Sequence, residues 1–309
     1  DICNMGWNVT VMLQAAKGFS QNHGRYIEIK NRAYCHRARS FIPIYVDVFS
    51  DNIGFGLNKQ HRSVMTKHLY DFDYFVFAEE DMLLSASHLQ AYIQAEHRLR
   101  KAMPSQWLQY TIGFLRYEES VGGDSERVTW EYRPHMVHVV DVDPGLGKYI
   151  VTNNLNQAIF IFSQEQVVDL QRRCHFLTDI GRNAFYNELR WALDQNWRFL
   201  AVGVSEWSSS FQHVLQCGLR RVIPVDHFQS HMILHSSNKA QNRRPRSELL
   251  NMRDWMLLIR NKSKTPLTVE EAYEVIHEQY NMHLMRPEKY IGKSLFSWNV
   301  SERAKSSIH

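Results

Sequence analysis

The sequence from Leu69 to Leu84, L-Y-D-F-D-Y-F-V-F-A-E-E-D-M-L-L, decides the fold. Its aromatic and β-branched run, from Tyr74 to Ala78, is typical of a central strand that is covered on both faces. The run leads directly into Glu79, Glu80 and Asp81, and acids packed at the end of a buried strand are costly unless a cation meets them. Because ligands of open α/β sheets collect beyond the carboxyl ends of strands, we expect a metal or substrate site here. The alternative is an ordinary strand exit with solvated acids.

The residues before this strand alternate between strand and helix patterns. We predict strands over 7–15 and 41–49, an amphipathic helix over 26–39 and a second helix over 57–69. A β-α-β-α-β series specifies parallel strands joined by right-handed crossovers. The predicted fold class is therefore α/β, with a mixed, mainly parallel sheet and helices on both faces.

The second half of the chain mixes strand and helix patterns. Ser85 is placed to cap a helix over 86–101. We predict further strands over 107–117, within 128–142 in antiparallel pairs, over 157–163, 198–204 and 221–225, and helices over 164–174, 183–195 and 268–280. We predict one catalytic domain over 1–240, with halves over 1–85 and 86–240, and a C-terminal extension over 241–309 packed on it.

Composition bounds the class of protein. The chain has 309 residues and a formal net charge of +4, so it can bury a sizeable core, and its modest charge argues against a dedicated nucleic-acid binder. No run of about 18 apolar residues occurs, so we expect no membrane span in this chain. Because the first residue is Asp1 rather than Met, we expect a fragment or processed form whose N-terminal signal or anchor is missing from view.

Cysteines and sequons bear on the compartment. No two of the four cysteines form a C-x-x-C pair, which disfavours a zinc knuckle, and four cysteines allow three disulfide pairings. Sequons begin at Asn8, Asn261 and Asn299. These features suggest a glycoprotein with disulfides in a secretory compartment. Free buried thiols in a cytosolic enzyme are the alternative.

The order of these parts resembles the nucleotide-sugar-binding half of glycosyltransferases with the GT-A fold. A first strand is followed by a basic helix containing N-R-A-Y-C-H-R, a strand, a helix that begins near Lys59, an apolar strand and an acidic triplet. Where that fold carries a D-x-D motif, this chain has an E-x-D variant at Glu79 to Asp81. The resemblance covers residues 7–85 and is weaker over 150–238. It implies a GT-A-like fold and a metal-dependent hexosyl- or pentosyltransferase.

The resemblance also implies a metal site. Asp81 would be the direct ligand, Glu79 would contact the metal or the ribose, and Glu80 would belong to the same nucleotide-sugar motif or face solvent. A divalent cation, Mn²⁺ or Mg²⁺, holds the diphosphate and stabilises charge as the bond to the sugar breaks. Family members often supply a further His from a C-terminal segment. In V-D-H-F-Q-S-H-M-I-L-H we expect His235 first and His231 second, each with an ordinary polar loop residue as the alternative.

Four more residues are predicted to bind the nucleotide sugar. The fold places the base after the first strand, at Gln14, and at the end of the second strand, where Asp51 is equally suited to cap a turn. Lys59 would help to neutralise phosphate and Lys239 would reach the diphosphate. A solvated surface position is the alternative for each lysine.

The acceptor side is expected in the second half. Asn154 lies at a strand entrance and Trp207 is able to stack on a sugar ring, although both also suit purely structural roles. Glu188 lies among apolar residues of a predicted helix, where burial would raise its pKa toward that of a useful general base. An exposed Glu–Arg pair is the alternative for Glu188, and Asp179 and Glu206 are competing bases.

The sequence therefore predicts a metal-dependent glycosyltransferase that moves a sugar from a UDP- or GDP-sugar to a glycan or glycoprotein acceptor. We expect it in the Golgi or ER lumen as part of a type II membrane protein that touches the membrane only through the missing anchor, with no nucleic-acid partner. A cytoplasmic location is the alternative. The competing functions are a nucleotidyltransferase of similar fold and a catalytically inactive sugar-binding relative. The segment A-A-K-G-F-S-Q-N-H-G after the first strand is not a convincing phosphate loop, which argues against the nucleotidyltransferase.

Overall fold

The computed structural model describes residues 2–16, 24–49, 60–79, 81–119, 127–129, 137–143, 145–152, 159–174, 219–236 and 250–275. These residues form a mixed α/β structure with several sheets and six helices, which confirms the predicted class at that level. In this part of the chain no helix is both long enough and apolar enough to cross a membrane.

The helices and strands are numbered in chain order. The helices are α1 (Gly24–Arg32), α2 (His61–Lys67), α3 (Ala86–Ala102), α4 (Gln164–Cys174), α5 (Met252–Lys262) and α6, which begins at residue 269 and is described to 275. The strands are β1 (Val11–Ala16), β2 (Tyr34–Cys35), β3 (Ser40–Phe41), β4 (Ile44–Phe49), β5 (Tyr74–Ala78), β6 (Met82–Leu83), β7 (Tyr110–Ile112), β8 (Leu115–Glu119), β9 (Arg127–Thr129), β10 (Val137–Asp143), β11 (Gly147–Thr152), β12 (Ile159–Ser163), β13 (Arg220–Pro224), β14 (Met232–His235), β15 (Leu250–Asn251) and β16 (Leu267–Thr268).

Two five-stranded sheets contain most of these strands. One has the order β16-β10-β11-β13-β7 and the other the order β15-β9-β8-β14-β6. The strands β1 and β4, β5 and β12, and β2 and β3 form separate pairs among the described residues. The second sheet matters most for function, because it brings the end of β14 beside the residue that precedes β6.

The prediction of a mainly parallel sheet is only partly met. β1 and β4 pair in parallel as expected. β5, in contrast, pairs antiparallel with β12, with Phe77 opposite Phe160, and antiparallel pairs outnumber parallel ones among the described strands. Antiparallel strands can be joined by short turns, so such sheets do not need the long crossover connections that parallel pairs require.

The first predicted helix is shorter than expected because a hairpin and a disulfide follow it. α1 ends at Arg32, and β2 then pairs antiparallel with β3. Cys35 in β2 forms a disulfide with Cys3, which selects one of the possible pairings. Closing a loop of about 30 residues in this way stabilises a fold by roughly 3–4 kcal/mol in the chain-entropy account.

Helix α3 is the central helix of the largest hydrophobic core. The predicted cap is confirmed, since the Ser85 side chain accepts a hydrogen bond from the His88 backbone N–H and His88 Nδ1 accepts one from the Ser85 backbone. Tyr92 is fully buried and its hydroxyl donates to the Ile161 carbonyl oxygen at 2.7 Å. This bond ties α3 to β12.

Residues 250–275, within the predicted C-terminal extension, share core contacts with earlier elements. Trp255 of α5 is fully buried and its ring stacks on Phe228, with centroids 5.9 Å apart. Lys262 donates to the Val137 carbonyl oxygen at 2.5 Å. β16 is a strand of the same sheet as β10. The predicted domain boundary at residue 240 stays a prediction.

One buried carboxyl group on α3 lacks a close cation to offset the cost of burying its charge. Glu96 is 2% exposed and its Oε1 is 3.8 Å from the guanidinium of Arg100. Burial raises the pKa of Glu96 above its ordinary value, and the neighbouring hydroxyls of Tyr74 and Ser163, together with Arg100, offset this effect only in part. Ionisation of Glu96 therefore opposes folding.

We predict that Glu96→Gln makes thermal stability less sensitive to pH. As the pH rises past the ordinary pKa of Glu, the unfolded chain releases this proton before the folded chain does, so wild-type stability falls until the pH passes the folded pKa. The melting temperature of the variant relative to wild type should therefore be higher at about pH 7.5 than at about pH 4. Glu165→Gln is the matched control, because Glu165 also pairs with Arg100 but is exposed. The same change in melting temperature relative to wild type for both variants, at both pH values, would contradict the prediction.

Candidate active site

Strand β14 is inserted between β6 and β8. It pairs antiparallel with β6, where His235 lies opposite Met82, and parallel with β8, where Leu234 lies opposite Tyr117. Met82 immediately follows Asp81, and Glu118 immediately follows Tyr117. The register of three strands therefore carries His235 between two carboxylates that are distant in the sequence.

The imidazole of His235 contacts both carboxylates. Its Nε2 lies 3.0 Å from Oδ2 of Asp81, and its Nδ1 lies 2.8 Å from Oε1 of Glu118. All three side chains are largely buried, with Glu118 only 1% exposed. Ser236 adds a backbone tie, because its N–H donates to the Asp81 carbonyl oxygen at 2.8 Å. We refer to Asp81, Glu118 and His235 as the triad.

The charges of the triad decide the protonation state of its histidine. Burial alone would lower the pKa of His235, but hydrogen bonds with Asp81 and Glu118 outweigh burial, and the pKa is raised. The nearby Arg116 guanidinium opposes this rise. The metal-free triad therefore favours an imidazolium that donates to both carboxylates.

Two members of the triad, Asp81 and His235, carry the types of ligand atom that divalent metals bind. A carboxylate oxygen and an imidazole nitrogen are typical Mn²⁺ ligands, and here the two atoms lie 3.0 Å apart, in direct hydrogen-bonding contact. The Nδ1 bond to Glu118 is the carboxylate–histidine contact that orients metal-binding imidazoles. Within the described ranges, no group of three or more His, Cys, Asp and Glu residues is arranged to hold a metal ion. Asp81 and His235 would thus be two protein ligands of an ion that also binds water or substrate oxygens.

The other predicted nucleotide-sugar residues are only partly described. Glu79 follows β5, is half-buried, and its carbonyl oxygen accepts from the Met82 N–H at 3.1 Å. Gln14 lies in β1 opposite Asp47, and its amide Nε2 is buried with no hydrogen-bond partner among the described residues. The remaining predicted site residues lie outside the described residues: Asp51, Lys59, Glu80, Asn154, Glu188, Trp207 and Lys239.

The structure does not place His231 in the triad. His231 is 1% exposed, and its Nδ1 donates to the His227 carbonyl oxygen at 3.0 Å. It closes a 3-10 turn over Phe228–His231, whereas His235 ends β14.

Sequence reasoning missed Glu118. The predicted strand over 107–117 stopped one residue short of it, and a glutamate next to a second glutamate is usually solvated. The available signal was the period-2 alternation of R-Y-E-E, since Arg116 and Glu118 are buried while Glu119 is exposed. Two charged residues on one face of a strand indicate a polar partner on that face.

Comparison with protein-family models, with curated proteins and with solved structures finds no match to this chain. The function proposed below therefore rests on the chemistry of the triad and of the residues around it.

We predict that His235→Gln destabilises the metal-free protein most at low pH. The folded pKa of His235 is raised, so the stability from the imidazolium is fully present below the unfolded value of about 6.5 and is lost as the pH rises through the folded pKa. Breaking a buried charge pair typically costs about 3–5 kcal/mol.

Urea unfolding with a chelator present, at about pH 6 and about pH 9, measures this difference. The difference in the free energy of unfolding between wild type and His235→Gln should be smaller at the higher pH. The control is His97→Gln, since His97 is an exposed histidine of α3. A difference in the free energy of unfolding that grows with pH would contradict the raised pKa of His235.

Proposed function

We propose that this protein is a metal-dependent glycosyltransferase of GT-A-like fold, which transfers a sugar from a UDP- or GDP-sugar to a glycan or glycoprotein acceptor. The observation that carries the proposal is the contact of Asp81, from the acidic end of the central apolar strand, with His235, from the C-terminal histidine segment. The two residues were selected as metal ligands from separate parts of the sequence, more than 150 positions apart.

Each member of the triad has a distinct role in this proposal. Asp81 and His235 hold the cation, Mn²⁺ or Mg²⁺, and Glu118 accepts from His235 Nδ1 and keeps Nε2 directed at the metal position. When bound, the cation supplies charge stabilisation for the departing nucleoside diphosphate. Because metal replaces the proton on Nε2, cation binding should release a proton and strengthen with rising pH.

The strand pair β1–β4 suits the base of a nucleotide-sugar donor. β1 and β4 run in parallel, so their carboxyl ends lie at the same edge of this strand pair, and Gln14 lies opposite Asp47 two residues before the end of β1. Ligands collect at such carboxyl ends in α/β sheets. The buried amide of Gln14 is suited to hydrogen-bond a base. The acceptor residues Asn154 and Trp207 and the general base Glu188 complete the proposal as predictions from the sequence.

The disulfide supports a secretory location. A disulfide joins Cys3, in an N-terminal 3-10 turn, to Cys35 in β2, and disulfides persist in oxidising compartments and are rare in the cytosol. We accordingly place the enzyme in the Golgi or ER lumen, with a cytoplasmic location as the alternative.

We predict that Asp81→Asn removes metal-dependent turnover of the donor. Loss of a charged metal ligand removes several kcal/mol of transition-state stabilisation, so hydrolysis of UDP- or GDP-sugars in Mn²⁺ should fall on the order of 100- to 1,000-fold. Release of UDP or GDP shows cleavage of the bond to the sugar, as a glycosyltransferase makes it, whereas a nucleotidyltransferase would cleave the diphosphate bond and release sugar 1-phosphate. Asp73→Asn is the control, since Asp73 is exposed just before β5. Metal-dependent turnover that survives Asp81→Asn would overturn the assignment.

Glu118→Gln should weaken the metal site without abolishing it. Outer-shell partners of metal-binding histidines typically contribute 10- to 100-fold in metal affinity, so the Mn²⁺ concentration for half-maximal turnover should rise by about that factor. The maximal rate at saturating Mn²⁺ should change much less. Glu119→Gln is a matched control, because Glu119 is the exposed neighbour on the same strand. Unchanged Mn²⁺ dependence in Glu118→Gln would remove Glu118 from the site.

A further inference from the structure

A cavity of about 370 Å³ lies beside the N-terminal disulfide. Its walls come from two segments of the chain, residues 3–9 and residues 35–43, which the bond between Cys3 and Cys35 joins. Its volume is within the range of roughly 300–1,000 Å³ that is typical of ligand pockets. Among the described residues that line it, none is acidic and only Arg37 is basic. The cavity therefore has the size and the charge to hold an uncharged ligand.

Asn8 lies in the lining of this cavity and opens the sequon Asn8-Val9-Thr10. It is exposed, and residues 7–10 belong to no helix or strand. Sequons on exposed surface segments of secreted proteins are acceptors for N-linked glycans. The sequon at Asn261, in contrast, lies in the last turn of α5, where Oδ1 of Asn261 accepts from the Lys264 ammonium at 3.3 Å. Asn8 is therefore the better placed acceptor of the two.

The apolar part of the lining is open to solvent. Phe41 is 55% exposed, and its ring makes an edge contact with that of Tyr34, with centroids 5.3 Å apart. Trp7 is partly buried and packs against the largest hydrophobic core cluster. Because exposed apolar surface of this kind in a concave place marks a binding site, the cavity is suited to a ligand that covers it.

Arg37 supplies hydrogen-bond donors at the same place. Its guanidinium lies over Gly6, with Nη1 2.6 Å from where a Cβ on Gly6 would lie, and Gly6 itself lines the cavity. The Arg37 backbone N–H donates to Oδ1 of Asn4 at 3.3 Å, which ties the two walls together. A sugar ring has apolar C–H faces and hydroxyl oxygens that accept hydrogen bonds, so it matches a lining of aromatic residues with a few donors.

We propose that Asn8 carries an N-linked glycan whose first sugar fills this cavity. In the attachment step, Nδ2 of Asn8 forms a bond to C1 of a sugar on a lipid diphosphate-linked glycan. The C1–O bond to the diphosphate breaks, the electron pair leaves with the diphosphate, and Nδ2 loses one proton. The apolar face of the attached sugar then contacts Trp7 and Phe41, and its hydroxyls accept from Arg37.

Covalent attachment makes even a weak contact between sugar and protein effective. A ligand on a short tether has an effective concentration in the millimolar range, so the first sugar of a glycan on Asn8 occupies a cavity that the free sugar would fill poorly. This inference rests on the secretory location given with the proposed function. It does not depend on sugar transfer, because no member of the triad lines the cavity.

Peptide mapping by mass spectrometry tests the modification. The full chain is secreted from eukaryotic cells behind an added signal peptide, which supplies the compartment. We expect the peptide with Asn8 to carry hexosamine in wild type and to be unmodified in Thr10→Val, which removes the sequon. An unmodified Asn8 in the secreted wild type would overturn the proposal, and it would count against this site rather than against the secretory location or the transferase activity.

Melting temperatures test the contact with the cavity. Glycosylated wild type should melt roughly 2–4 °C above Thr10→Val, and this difference should largely vanish when both chains also carry Phe41→Ser. Tyr45→Ser is the matched control, since Tyr45 is 56% exposed on β4 but does not line the cavity, and it should leave the difference unchanged. A difference that persists in Phe41→Ser would overturn the proposal.

Trimming of the glycan identifies the sugar that makes the contact. An endoglycosidase that leaves only the first sugar on Asn8 should preserve the difference in melting temperature between wild type and Thr10→Val. Loss of the difference on trimming would assign the contact to outer sugars and overturn the proposal. This arm uses no substitution in the cavity, so it decides alone if Phe41→Ser does not fold.

Discussion

The placement of β14 between β6 and β8 is the constraint on which the candidate site depends. The strand register puts one imidazole between two carboxylates in a largely buried position. Burying such charges is costly unless each meets a partner, and removing one member of a buried pair costs more than the pair contributes. The triad therefore stabilises the fold most when all three of its side chains are present.

Features with a local cause were predictable from the sequence. The strand from Tyr74 to Ala78 has the bounds expected from its apolar run, and Ser85 caps α3 through contacts that span three residues. Asp81 and His235 were selected through the resemblance and the acidic and histidine segments, and they lie in contact. Periodicity and capping are read within a few residues of chain, which explains why the strand and the cap were predictable, whereas the roles of Asp81 and His235 as metal ligands stay predictions.

Features set by distant partners were not predictable. The helix expected over 26–39 ends at Arg32, because Cys35 is held by Cys3 and enters a hairpin. The antiparallel pairing of β5 with β12 joins segments about 85 residues apart. Glu118 was missed because its burial depends on His235, a residue from another strand. In each case the deciding energy comes from a contact that no local pattern encodes.

The alternation of β14 has a consequence for the accuracy of folding. Neighbouring residues of a strand face opposite sides, so a slip by one position would exchange His235 for Leu234. Asp81 and Glu118 would then face an isobutyl group, and two acids would be buried without their cation. The triad thus favours the correct alignment of β14, because a chain with the strand shifted by one residue loses the contacts of the imidazolium with the two buried carboxylates.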